Sequence, residues 1–145
     1  MSPATSTVPS GPPAVRELTI GIADMIAYAG ATWDWHRLHY DPAYLSEKRL
    51  AAPVVDGQVF GALVAAQAQD WAGPGWRLAE LDFTFRNLVF AGERVRCEAE
   101  VVRSGDDGVE LRHRVVVIDA DGVEERVAVE PARSLLVLQP RRCAP

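Results

Sequence analysis

Between Gly57 and Ala72 the apolar residues Val59, Phe60, Leu63, Val64, Ala66 and Ala68 leave hardly any polar side to the segment. That spacing predicts a helix, and a helix apolar nearly all round has to be buried. Gly73-Pro74-Gly75 stops it. Downstream the pattern changes to four runs rich in β-branched and aromatic residues: Trp76 to Phe90, Arg94 to Arg103, Val109 to Asp119, and Val123 to Leu138. Ala91-Gly92, the stretch Ser104 to Gly108, and the stretch Asp119 to Gly122 separate them as turn signals. Upstream, Arg16 to Gly21 alternates like a short strand and Ile22 to Ala31 carries apolar residues at helical spacing. Asp41-Pro42 supplies an N-cap with proline at the first helical position, so a short helix through Glu47 is expected. Long strands joined by hairpins predict an antiparallel sheet, and only the buried helix is able to cover one face of it. The fold class is therefore α+β, a curved sheet wrapped round one helix, with sheet edges that a second copy could pair.

A chain of 145 residues has the size of one domain with a real core. Residues 1–13 carry no charge and are mostly Ser, Thr, Pro, Gly and small apolar types, so they read as a disordered leader; 14–140 reads as one domain and 141–145 as a flexible tail. No window offers the run of apolar residues that a membrane span needs, and the expected setting is soluble and cytoplasmic, with no membrane partner. Fifteen basic against twenty acidic residues give a net charge of −5, which argues against nucleic-acid binding. A phosphate-bearing small ligand needs only a few local arginines, and Arg86, Arg94, Arg96 and Arg103 lie along the strand runs, where a solvated strand face is the simpler reading for each. Cys97 and Cys143 have neither a disulfide framework nor a metal-ligand spacing. Glycine-rich phosphate loops, nucleophile elbows and zinc spacings are missing too, and the acidic stretch at 104–108 lacks the spacing of a calcium loop. No metal and no cofactor beyond the substrate's own carrier is expected.

The segment Trp33-Asp34-Trp35-His36-Arg37-Leu38-His39-Tyr40-Asp41-Pro42 is different in kind. It sets Asp34 five residues before His39, and the buried helix opens further on with Asp56-Gly57. A carboxylate, an imidazole and a helix N-terminus are the parts needed to activate a water beside a polarised carbonyl. Asp56 as N-cap can take N–H groups deeper in the helix, while Gly57 lets a ligand approach its own amide. Plainer roles stand beside these: Asp34 capping a turn, His39 hydrogen-bonded in a loop, Asp56 serving only as a cap, and His36 in a structural role. His113 lies in an alternating strand run and reads as solvated. Trp33, Trp35 and Tyr40 either line a pocket or anchor the loop.

From Tyr28 to Pro42 the chain resembles the signature of the MaoC-like (R)-specific enoyl-CoA hydratases and dehydratases: aromatic, small residues, Asp, any, Asn, Pro, aliphatic, His, any, Asp, Pro. Asp34, Leu38, His39 and Asp41-Pro42 keep that spacing. His36 and Arg37 stand where the family has Asn and Pro, Trp33 where Gly is common, and Asp56 where His is frequent. Val54-Val55-Asp56-Gly57 looks like the family's entry into the central helix, and Phe83 to Val95 like its aromatic-Arg strand and turn. Over about residues 16 to 138 the resemblance implies a hotdog fold. It also implies Asp34 and His39 holding one water, and the Gly57 N–H stabilising charge on a thioester oxygen. The substrate would be an enoyl or (R)-3-hydroxyacyl thioester of coenzyme A or of an acyl carrier protein, with Trp33, Trp35, Tyr40, Asp56 and Arg86 as candidate substrate-binding residues. The chain is also similar to the smaller subunit of actinobacterial two-subunit hydratases, which implies a homodimer or a heteromer with a related hotdog subunit. A hotdog acyl-CoA thioesterase and a non-catalytic acyl-binding subunit are the alternative readings.

Overall fold

The computed structural model describes residues 8–139. Strand β1 (Arg16–Thr19) leads into helix α1 (Ile22–Thr32); α2 (Pro42–Glu47) and α3 (Gln58–Ala72) follow, then strands β2 (Trp76–Phe85), β3 (Arg94–Gly105), β4 (Gly108–Ile118) and β5 (Glu124–Leu138). All five strands form one antiparallel sheet in the order β1-β3-β4-β5-β2. Register shifts interrupt the β2–β5, β3–β4 and β4–β5 ladders, and each adds local bend and twist to the sheet. The curled sheet closes round α3 in the arrangement expected of a hotdog fold.

One side of α3 supplies Phe60 and Val64 to a cluster with Val95, Cys97, Val115, Val117, Ala128, Val129 and Ala132 of the sheet. Ala68 and Ala72 continue the contact with Trp76, Val109, Leu111 and Leu136. Burying a side chain such as Val64 or Phe60 contributes about 1.5–3 kcal/mol, so this helix–sheet layer is the main source of cohesion. Gly61 lets α3 approach β2 closely, since a Cβ there would meet the Phe83 ring at 2.8 Å.

Two sequence expectations change. The run Trp76 to Phe90 divides: β2 ends at Phe85, and the next residues leave the sheet to meet the segment before α3, where Val55 N–H donates to Val89 O at 2.8 Å. The Arg86 N–H still donates to Ala128 O at 2.8 Å, and past it side chains tie the segment to β5, with Arg86 Nε donating to Glu130 O and Asn87 Nδ2 to Val127 O. The expected leader is described only from residue 8; within it Pro13 is buried and Gly11 O accepts the Trp71 indole N–H at 3.1 Å. The expected tail at 141–145, with Cys143, lies outside the described residues.

His113 is the second change, because it is 1% exposed rather than solvated. It shares its strand face with Val109, Leu111, Val115 and Val117, all buried. Its Nδ1 lies 2.9 Å from Gln67 Oε1 and its Nε2 2.8 Å from Ser134 Oγ. An Nδ1–H donor and an accepting Nε2 satisfy both partners with a neutral ring. Gln67 also donates from Nε2 to Ala14 O and Cys97 O and accepts the Cys97 thiol, so a complete polar seam crosses the helix–sheet interface. Burial pushes the Cys97 thiol up to about 12, which keeps it protonated and chemically quiet.

Burial pushes His113 down to about 4 from an ordinary 6.5. Above pH 6.5 the ring is neutral in both the folded and unfolded chain; between 6.5 and 4 the unfolded chain binds the proton first. Folding should therefore lose about 3 kcal/mol through His113 as pH falls across that window. Urea unfolding at a series of pH values tests this, with a shallower pH dependence expected for His113→Gln; equal slopes in the two proteins would refute it.

Candidate active site

Residue Trp33 ends α1 in a left-handed conformation, φ 61°. That conformation is uncommon for a residue with a Cβ, and it turns the chain sharply out of the helix. Asp34 then accepts the His36 N–H at its Oδ1 (3.1 Å), and His36 Nδ1 accepts the Leu38 N–H (3.1 Å), which starts a 3-10 turn over Arg37–His39. His36 is thus a structural cap. Arg37 pairs with Asp41 at 2.7 Å; the pairing pushes the exposed guanidinium up and holds the Asp41 carboxyl low while Asp41 caps α2 through Ala43 and Tyr44.

The turn is fastened to the segment before α3. His39 Nδ1 lies 2.6 Å from Val54 O, and Val54 N–H donates to Leu38 O at 3.1 Å. A ring that donates from Nδ1 keeps Nε2 for another partner. The N-cap of α3 is Gly57 rather than the expected Asp56, and no side chain bonds the amides deeper in the helix; Asp56, one residue earlier, accepts the Gln58 N–H at its Oδ1 at 2.8 Å and so holds the first helical amide. Tyr28 on α1 is pushed up, first by burial and then by the nearby Asp56 carboxylate. As a result, Asp34, His39 and Asp56 each bring one ligand-type atom to within 4.8 Å of the others. A water fits such a set, and so does a divalent cation.

The Gly57 N–H meets no protein acceptor among the described residues. It opens α3, where unpaired amides and the helix dipole favour negative charge. Beside it lies a cavity of about 300 Å³, predominantly apolar, with His39, Gly57, Leu38, Phe60, Phe85 and Leu88 in its wall. Arg86 also lines it and, unlike Arg94, Arg96 and Arg103, has no carboxylate partner among the described residues. A second cleft of about 370 Å³ on the sheet contains Glu98, Glu100, Arg112, Arg114 and Glu130, but Arg112–Glu100 and Arg114–Glu130 pair with each other.

The structure brings Asp34, His39, Asp56 and Gly57 together, although the first and last belong to segments far apart in sequence. It does not bring Trp33, Trp35 or Tyr40 into the cavity wall. Instead they stack edge to face outside it, Trp33 on Trp35 at 6.0 Å and Trp35 on Tyr40 at 6.4 Å, while the Tyr40 hydroxyl donates to Trp35 O. Trp33 is 79% exposed. Sequence reasoning missed the wall residues Phe60, Phe85 and Leu88; the early end of β2, which places Leu88 here, left no local mark.

The MaoC-like domain matches residues 4–123, and the chain belongs to that family. It is 30% identical over 88 residues to an (R)-specific enoyl-CoA hydratase of Aeromonas caviae, a stretch covering 60% of this chain and 66%, just under two thirds, of that relative. The solved structure of the A. caviae (R)-hydratase involved in PHA biosynthesis superposes with a TM-score of 0.74 at 24% identity, covering 95% of this chain and all of that one. A chain of the ChsH1-ChsH2 complex from Mycobacterium tuberculosis gives 0.73 at 19% identity, covering 90% and 99%. The shared architecture is the hotdog fold. Among the described residues no helix is long and apolar enough to cross a membrane.

Gly57 has a steric reason as well. A Cβ there would lie 2.4 Å from Phe85 Cζ, so Gly57→Ala must displace that half-exposed ring. The expected cost is about 1–2 kcal/mol, most of it relieved in a Phe85→Ala background. A double-mutant cycle by urea unfolding checks the coupling, and purely additive effects would show that the ring does not constrain position 57.

Proposed function

We propose that this protein adds water to a 2-enoyl thioester, or removes it from an (R)-3-hydroxyacyl thioester, with Asp34 and His39 acting on one water. Membership of the MaoC-like family supports hydration or dehydration as the general class of reaction. The observation that carries the finer reading is the convergence of Asp34 on His39, which itself shares the wall of an apolar cavity with the unpartnered Gly57 amide. In hydration the water oxygen bonds to the β-carbon while one of its protons passes to the Asp34–His39 pair, and the pair returns a proton to the α-carbon. The two groups titrate as a unit, so acid and base are roles of the pair. As the double bond breaks, negative charge moves onto the thioester oxygen, where the Gly57 N–H at the helix start stabilises it. Leu38, Phe60, Phe85 and Leu88 shelter the acyl group, and Arg86 lies where a phosphate-bearing carrier would gain from its charge.

The carrier is coenzyme A or an acyl carrier protein. The working unit is a homodimer or a complex with a related hotdog subunit, an assembly for which the ChsH1-ChsH2 complex offers a parallel. Purified protein given crotonyl-CoA or a longer enoyl-CoA should remove the enoyl absorbance without releasing thiol. Asp34→Asn and His39→Ala should each lower the rate by roughly 10²–10⁴. Thiol release with the double bond intact would point to a thioesterase instead, and undiminished rates in both variants would exclude the pair from the chemistry.

A further inference from the structure

A water held between one proton-accepting group and one proton-donating group is not fully satisfied. It has two O–H groups, and only one of them is used when its proton passes to the pair. The other stays on the oxygen throughout and becomes the hydroxyl hydrogen of the product. Whichever member of the pair gives its proton to the α-carbon presents a donor to the oxygen, and the Gly57 N–H is a donor too, so one accepting group is left for two O–H groups. Asp56 brings a further acceptor within reach: its carboxylate lies within 4.8 Å of the ligand atoms of both Asp34 and His39. Its Oδ1 is tied to the Gln58 N–H at 2.8 Å, which fixes the side chain while leaving the carboxylate with unused acceptor capacity.

We propose that Asp56 accepts the hydrogen bond from the O–H that is not broken, first in the water and then in the 3-hydroxyl of the product. The proposal rests on the hydratase reading of the same site. Asp56 gains and loses no proton: the new bond is between oxygen and the β-carbon, the transferred proton travels through Asp34 and His39, and Asp56 holds the spectator hydrogen. In the reverse direction it holds the hydroxyl of the 3-hydroxyacyl thioester, and with it the face from which water leaves.

Asp56→Asn separates this role from the bond to the first helical amide. Asparagine keeps an oxygen for the Gln58 N–H, but it turns an NH₂ donor toward the water. Steady-state hydration of crotonyl-CoA should show kcat reduced roughly 10- to 100-fold, the loss expected for a hydrogen bond to a charged group. KM should stay within about twofold and the melting temperature should not move, as befits a retained bond to the Gln58 N–H. Wild-type kcat in Asp56→Asn, measured alongside an inactive Asp34→Asn control, would overturn the inference and leave the hydratase reading standing. A kcat loss that tracks a lowered melting temperature would also overturn it, and wild-type protein that hydrates no enoyl thioester would overturn both.

Discussion

A fifteen-residue helix this rich in apolar side chains has to bury a face, and here one curled sheet receives it, with Phe60, Val64, Ala68 and Ala72 turned inward. Enclosure requires the sheet to curl, which the register shifts in three of its ladders permit, and it requires the helix backbone to approach β2 closely. Gly61 and Gly57, one turn apart, meet Phe83 and Phe85 at that approach. The helix start therefore reaches the edge of the core with its first amide unpaired, and the apolar cavity forms beside it. The unpaired amide beside the cavity follows from packing.

Apolar packing alone would tolerate several rotations of such a helix, because its faces are so alike. The polar seam removes that freedom. Gln67 uses both its oxygen and its nitrogen across the interface, and a rotation of α3 would orphan Gln67, His113 and Ser134 together in a region of almost no exposure. Each buried polar group left unpaired costs about 1–3 kcal/mol. One rotational setting is thereby selected, and with it the direction in which the first turn of α3 faces the 3-10 turn carrying His39.

Periodicity carried most of this fold into view. The all-round apolar pattern from Gly57 to Ala72 identified the enclosed helix, the hairpin signals placed the strands, and Asp41-Pro42 marked α2. His113 was misread because its residue type outweighed its phase: two residues from Leu111 and two from Val115, it occupies an inward position, and a polar residue there requires partners. Its partner Gln67 sits on a distant helix, so no local pattern announces the pair. The convergence of Asp34, His39 and Gly57 was legible through the spacing of the motif. The cavity wall was not, since past the end of β2 the segment is tied to β5 by side-chain bonds of Arg86 and Asn87 that only the folded chain displays. The aromatic residues around Asp34 were equally open to a pocket and an anchoring reading; in the structure Trp33, Trp35 and Tyr40 stack on one another outside the wall.

Preorganisation is the property that unites the converging groups. Asp34, His39 and Asp56 each spend one polar atom on a backbone group: the His36 N–H, the Val54 carbonyl and the Gln58 N–H. Those bonds fix the side chains without help from a substrate, as a site must if hydrogen-bond geometry is to assist a transition state. The left-handed Trp33 belongs to the same economy of structure. A residue with a Cβ gives up about 1–2 kcal/mol in that conformation, and here it leaves most of its own surface in solvent. The turn it makes brings Asp34 out of α1 and toward the His39 ring within two residues of the helix end, a reversal that a right-handed residue at 33 would not produce.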